Sequence, residues 1–354
     1  MWLSKPGESK IFARRPTVET MNMLPGLGRL PLARDDVDRG TELRDDEQWL
    51  PTIWDQPNTR VLWLHGRTAP MYDGGLVLTA PAGELPDDAV YLGRSAEHTP
   101  QHSQFVDRDE EHVEIVLLIA NSDTKAPWLE DPQVGGVVVD RPADIDWLGV
   151  SDIAPALNDR DVGIFVSGIA IANWHKVNKY CPRCGTRTEL KTSGWVQICP
   201  KDGSEHFPRT DPAVIMLITD PDDRALLGNN KAWGDKRYST LAGFVEPGES
   251  LEAAVKREVY EESQVIVDGV DYMGSQPWPF PQSLMLGYLG QTQHPEDAQA
   301  DHEELAEVRW FSREELREEV ESGRMFIPGA ASIAHHLMRH WYGGPLPQPR
   351  TLEN

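Results

Sequence analysis

Between about residues 59 and 140 the chain alternates short apolar runs with Pro, Gly and Asp, the runs falling at 60–67, 75–80, 89–92, 112–120 and 135–139. Runs of that length cut by turn residues predict antiparallel strands. Val162, Phe165, Ile169 and Ala172 then recur at helical spacing up to Trp174 and His175, which predicts a helix. From Asp211 the texture changes again. Residues 213–219 predict a buried strand, followed by strands at 224–227, 239–245, 284–291 and 308–311. A helix over 250–263 separates the third of these strands from the fourth. Another begins at Ser312, where Glu315 completes a capping box, and a last one covers 330–341. Mixed strands with helices on either side predict an α/β class, an α/β/α sandwich over 209–354. Before it stand a flexible leader (1–50), a mainly β amino-terminal domain (51–175) and a small insert (176–208). The amino-terminal strands are a candidate degenerate copy of the same sandwich.

Composition narrows what such a chain does. A net charge of -23 excludes broad electrostatic binding of nucleic acid or anionic membrane, so a polyanionic substrate has to be met by bound metal and a few local arginines. No run of 18 apolar residues exists, and the first thirty residues lack the features of a signal peptide, from which a cytoplasmic location is expected. The three cysteines all lie between 181 and 199, a pattern of metal binding in a reducing compartment and not of a disulfide framework.

The densest chemistry lies at 243–265. A glycine-rich turn leads into a helix on which Glu258, Glu261 and Glu262 stand at i, i+3 and i+4, so three carboxylates crowd one face. Like charges at that spacing repel unless hard cations neutralise them, as magnesium or manganese does. The pattern of Gly243, Glu249, Arg257-Glu258, Val259, Glu261-Glu262 and Val265 resembles the Nudix box. Gln264 stands where that family has glycine, and a left-handed helix end there costs glutamine about 1 kcal/mol without removing a ligand. Glu249 is expected to pair with Arg257 and hold the box loop.

Cys181-Pro-Arg-Cys184-Gly resembles the first knuckle of a zinc ribbon, and Cys199-Pro-Lys-Asp202-Gly the second, with aspartate in the last place. Three thiolates and one carboxylate suit tetrahedral zinc, and His206 is the alternative fourth ligand. A ribbon of this size buries no core unaided, so Zn2+ is assigned a structural role.

Beyond the box, 275–283 reads Ser-Gln276-Pro-Trp278-Pro-Phe280-Pro-Gln-Ser283. Alternating prolines stiffen the segment and present Trp278 and Phe280 as plates suited to flat bases. With box, ribbon and loop in this order, 165–345 resembles the NADH pyrophosphatase, or NudC-type, branch of the Nudix hydrolases. The resemblance implies hydrolysis of the pyrophosphate of NADH or NAD+ to NMNH or NMN plus AMP, and removal of NAD caps from RNA. It implies catalytic Mg2+ or Mn2+ held by Glu258, Glu261, Glu262 and Glu307, with Glu262 or Glu307 as base. It implies that Phe207 and Phe244 sandwich the nicotinamide, that Gln276, Ser283 and Ala334 touch substrate, and that Trp278 reaches across a homodimer. Two alternatives stay open: a hydrolase of ADP-ribose or a dinucleoside polyphosphate, and a catalytically silent nucleotide sensor. Arg183, Arg187, Lys191 and Arg209 are a candidate RNA track. Glu303-Glu304 and 109–111 are expected to be solvated faces, Glu304 being of interest because it lies three residues before Glu307. His335-His336 is a candidate phosphate contact, and His175 a packing histidine.

Overall fold

A computed structural model describes residues 26–96, 112–120 and 145–349. The strand expected at 135–139, the acidic run at 109–111 and the first half of the leader lie outside the described residues. Two mixed sheets share the chain, with the ribbon between them in sequence.

The first sheet contains β1 (Thr59–His65), β2 (Thr68–Tyr72), β3 (Gly75–Leu76), β4 (Leu78–Thr79), β5 (Val90–Ala96), β6 (His112–Ala120) and β7 (Asp146–Gly149). Its order is β3-β2-β1-β6-β5, with β4 on β1 and β7 on β2. Strands β1 and β6 run parallel, and the other pairs are antiparallel. Alternation along β1 sends Leu62 and Leu64 into a core under the long helix Asp159–Val177. Val61 faces the opposite way, toward the short helix Trp49–Trp54. Asn158 caps the long helix by accepting from the Asp161 N–H at 2.8 Å.

The ribbon carries β8 (Glu189–Lys191), β9 (Val196–Ile198) and β10 (Glu205–His206), all antiparallel. It docks on the first sheet through Trp195, whose indole N–H donates to the Tyr91 carbonyl at 2.7 Å.

The second sheet is built from β11 (Asp211–Thr219), β12 (Ala225–Asn230), β13 (Leu241–Phe244), β14 (Gly269–Trp278), β15 (Ser283–Gln291) and β16 (Leu305–Phe311). Its order is β14-β15-β11-β12-β16, with β13 on β11. Strand β11 is buried on both faces, as its continuous apolar run predicted. Val214, Met216 and Ile218 pack under the box helix Leu251–Ser263, while Ile215 and Leu217 face the last helix, Ile333–Tyr342. The helix Arg313–Glu321 starts at the expected capping box.

Two expectations need correction. Residues 26–50 were expected to belong to a mobile leader, yet Leu30 is buried in the second core and Leu32 in the first, and the Leu27 N–H donates to the Met273 carbonyl at 2.8 Å. A 3-10 turn at Pro31–Ala33 follows Leu30 and redirects the chain, so Leu30 and Leu32 reach different cores and this segment stitches the two halves together. The other miss is β14. Its glycines, Asp271 and Pro277 break the apolar pattern because it is an edge strand, where a missing N–H costs no ladder bond.

Candidate active site

The box folds as its residue types require. Ser250 caps the helix by accepting from the Ala253 N–H at 3.2 Å, and Gln264 ends it in the left-handed region at φ 59°. Arg257 organises the turn below. Its Nε and one terminal nitrogen donate to the two oxygens of Glu249 at 2.9 and 2.8 Å, and the same guanidinium reaches the Phe244 carbonyl, Glu258 and Glu261, each at 2.9 Å. Glu249 is held below its ordinary carboxyl range by this pairing, and Arg257 is pushed above its own. One fork-shaped cation therefore fixes the loop and the helix together, which a lysine does not do.

The turn glycine has a specific reason. A Cβ on Gly243 would lie 1.9 Å from the Glu258 carboxyl carbon, so only glycine lets that side chain lie across β13. Glu258 is raised by burial, with Arg257 opposing. Glu262 is more extreme: 5 % exposed, with one carboxyl oxygen lacking any hydrogen-bond partner, and pushed up to about 9 by burial and then by the charges of Glu304, Glu258 and Asp301. A buried carboxylate with one oxygen unpartnered, beside other carboxylates, is costly by itself. Hard divalent cations remove that cost, so the donor set fits magnesium or manganese.

The neighbouring carboxylates sort by position. Glu304 bears on both Glu262 and Glu258, and its own oxygen accepts from the Asn230 amide at 3.1 Å. Asp301 shapes that loop by accepting from the N–H groups of Glu304 and Leu305 at 3.0 and 2.9 Å. Glu307, on β16, instead accepts from the Tyr238 hydroxyl. Glu304, exposed as expected, thus also bears on the box; the signal for that was only its spacing from Glu307. Asp301 and Tyr238 left no such signal, because both join the cluster through tertiary pairing alone.

At the ribbon, one ligand atom each from Cys181, Cys184, Cys199 and Asp202 lies within 4.8 Å of all the others. The two knuckles repeat one geometry: Gly185 N–H to the Cys181 carbonyl and Gly203 N–H to the Cys199 carbonyl, both at 2.9 Å, with both glycines at positive φ. This donor set fits one tetrahedral zinc. His206 stands outside this group, its ring 3.2 Å from the Ser204 hydroxyl, and Asp202 is the group's fourth member.

The aromatic-proline segment closes between β14 and β15, and here one assignment changes. Gln276 is fully buried, donating to the Ala331 carbonyl at 2.9 Å and accepting from the Leu32 N–H at 3.3 Å. Both ends of its amide serve the fold, so it is a tie and not a substrate contact. Trp278 and Phe280 stack edge to face at 5.1 Å and rest against the amino-terminal core, with the Arg67 guanidinium 5.0 Å from the Phe280 ring. Asn173, on the long helix, donates to the carbonyls of Pro279 and Pro281 at 2.8 and 3.0 Å. Ser283 and Ala334 are buried, Ala334 in the first turn of the last helix. Phe207 and Phe244 are exposed, at 57 % and 58 %. His335 and His336 bond the carbonyls of Pro328 and Ala330, and His175 that of Gly194, so all three serve packing.

A sheet strand that feeds a glycine turn into a helix of clustered glutamates, with one arginine locking the turn, defines a site of the Nudix hydrolase class. Comparisons with known proteins agree with this class. The NUDIX domain family matches residues 209–328, and the NADH pyrophosphatase zinc ribbon domain matches 178–207. The "NAD-capped RNA hydrolase NudC" of Mycobacterium bovis (strain BCG / Pasteur 1173P2) is 33 % identical over 322 residues, 88 % of this chain and 94 % of the relative. The "NAD-capped RNA hydrolase NUDT12" of Homo sapiens is 38 % identical over 197 residues, 52 % of this chain and 42 % of the relative. A solved NUDIX hydrolase from Nitrosomonas europaea overlies 48 % of this chain and 97 % of its own, with 20 % identity and a TM-score of 0.36. The chain belongs to the Nudix hydrolases, in the NADH pyrophosphatase, or NudC-type, branch. Among the described residues no helix is long and apolar enough to cross a membrane.

Proposed function

We propose that this enzyme hydrolyses the pyrophosphate bond of NADH and NAD+, releasing NMNH or NMN and AMP, and that it removes NAD caps from RNA. The observation that carries the reading is Glu262, a buried carboxylate with one oxygen unpartnered at the centre of the box. The substrate class rests on the ribbon match and on the printed activity of the relatives. Glu258, Glu262 and Glu304 would hold the divalent cation, with Glu261 at the exposed rim beside Arg257. When bound, Mg2+ or Mn2+ supplies charge for the bridging phosphates and acidifies a water. Glu307, kept in place by Tyr238, is the candidate to take the proton of the attacking water as the water oxygen adds to phosphorus and the bond to the bridging oxygen breaks. Phe207 and Phe244 offer exposed ring faces for the nicotinamide, Ser283 and Ala334 border the loop, and Trp278 is proposed to work across a homodimer.

The test is to incubate the protein and its Glu262→Gln variant with NADH, ADP-ribose and NAD-capped RNA in Mg2+ or Mn2+, and to separate the products. NMNH and AMP from the parent alone are expected. Preferential cleavage of ADP-ribose, or no metal-dependent cleavage of any of the three, would overturn the reading.

A further inference from the structure

A cleft of about 540 Å³ opens where the first sheet, the end of the long helix and the ribbon meet. It lies outside the box, and its charge runs against that of the chain. Arg67, Lys176, Lys179 and Arg187 line it against a single acidic residue, Asp88, while the whole protein carries -23. Lys176, Lys179 and Arg187 are exposed and enter no ion pair among the described residues. Four cations from three separate elements converge on one cleft, an arrangement that ion pairing within the protein does not explain.

The floor is built. The buried Gln197 accepts from the Thr188 hydroxyl at 2.7 Å, and His175 is bonded to the Gly194 carbonyl at 2.8 Å. His175 is lowered by burial, so near neutrality it adds no charge. The cleft also adjoins the aromatic-proline segment. Asn173, on its wall, holds Pro279 and Pro281, and Arg67 lines both this cleft and a second one shared with Trp278 and Phe280. Of the four residues expected from sequence to track RNA, only Arg187 belongs here; Arg209 pairs with Asp211 and Lys191 with Glu47.

We propose that this cleft binds the phosphodiester backbone of RNA downstream of the capped end, an inference that rests on the reading of capped RNA as a substrate. Single-stranded RNA favours such a place, since each neutralised phosphate releases counterions and stabilises binding without base recognition. Free NADH carries no downstream phosphodiester backbone to place there, so the cleft discriminates capped RNA from the free cofactor.

The test is the triple variant Lys176→Glu, Lys179→Glu, Arg187→Glu, assayed with NADH and with NAD-capped RNA across a salt series. Expected is a loss of about tenfold in kcat/KM on capped RNA at low salt and unchanged NADH hydrolysis. The slope of log kcat/KM against log salt should flatten by about 2, three contacts at roughly 0.7 each. Equal kcat/KM and equal slope on capped RNA would overturn the inference. If charge reversal also slows NADH, Lys179→Gln and Arg187→Gln decide singly: each must flatten the RNA slope by about 0.7, and slopes like the parent's sink the idea. A parent that cleaves NADH but not capped RNA would refute the substrate reading. The cleft is then judged by binding of a short 5′-monophosphorylated RNA, which must be weaker in the triple variant.

Discussion

The two sheets of this protein share one plan around their central strands and differ most in the helix that covers one face. In each, a central strand pairs parallel with one neighbour and antiparallel with two others: β1 with β6, β2 and β4, and β11 with β15, β12 and β13. The outer pairs β5–β6 and β14–β15 even share a bulge, one placed between Tyr91 and Gly93, the other between Tyr272 and Gly274. Val61, opposite Val116 and Thr79, therefore stands where Met216 stands opposite Tyr288 and Leu241. The two sheets part ways at the next element. After β13 comes the thirteen-residue box helix; after β4 the chain reaches β5 without any helix, and the face left open is covered by Trp49–Trp54, borrowed from before β1. The comparison teaches that the sheet is a support and that the carboxylate-bearing helix is the working part.

The largest effect expected is from Glu262→Gln, at least a thousandfold loss of kcat in product assays. Because Glu262 is raised to about 9 by burial, the folded protein free of divalent cation at the box resists its ionisation. Its stability then falls as pH rises from the ordinary carboxyl range toward 9, and the variant escapes this fall. Melting curves taken without added divalent ion should show the variant gaining on the parent as pH rises, by on the order of 2 kcal/mol near neutrality. Added Mn2+ should reverse the order.

Next comes Gly243→Ala, expected to cost about a hundredfold in kcat/KM by driving the Glu258 carboxylate aside, since the new Cβ would sit 1.9 Å from it. Two residues beyond Thr79, the matching place in the first sheet is Pro81, and Pro81→Ala should leave activity unchanged. Loss of activity from both would break the comparison. Cys199→Ser should release one zinc per chain, measured by elemental analysis, and loosen the ribbon, with a stability loss of several kcal/mol. The smallest effect is Gln264→Gly, which relieves a positive φ and should raise stability by about 1 kcal/mol with no change in kcat.

The box was legible because its ligands lie within one helix and one turn, where spacing equals position. Glu258, Glu261, Glu262, Arg257 and Glu249 meet as their intervals require, and the two knuckles bring three cysteines and Asp202 together. The cluster's remaining members come from other strands and loops. Nothing in local spacing tells that Glu304 turns toward Glu262 while Glu307 turns to Tyr238, since that depends on the pairing of β12 with β16 and its irregularity at Asn229 and Asn230. Gln276 was misassigned for a related reason: a conspicuous segment also has to be anchored, and its buried amide does the anchoring. The shared plan of the two sheets was only suspected from sequence, because it resides in strand pairing and bulge positions that composition does not display.

The most direct test is to count bound Mn2+ by electron paramagnetic resonance in the parent, in Glu262→Gln and in the paired variant Glu258→Gln, Glu262→Gln. The account predicts Mn2+ binding in the parent, weakened by the single change and abolished by the paired one, with zinc content constant. Mn2+ retained at full stoichiometry in the paired variant would contradict it and place the metal outside the box helix.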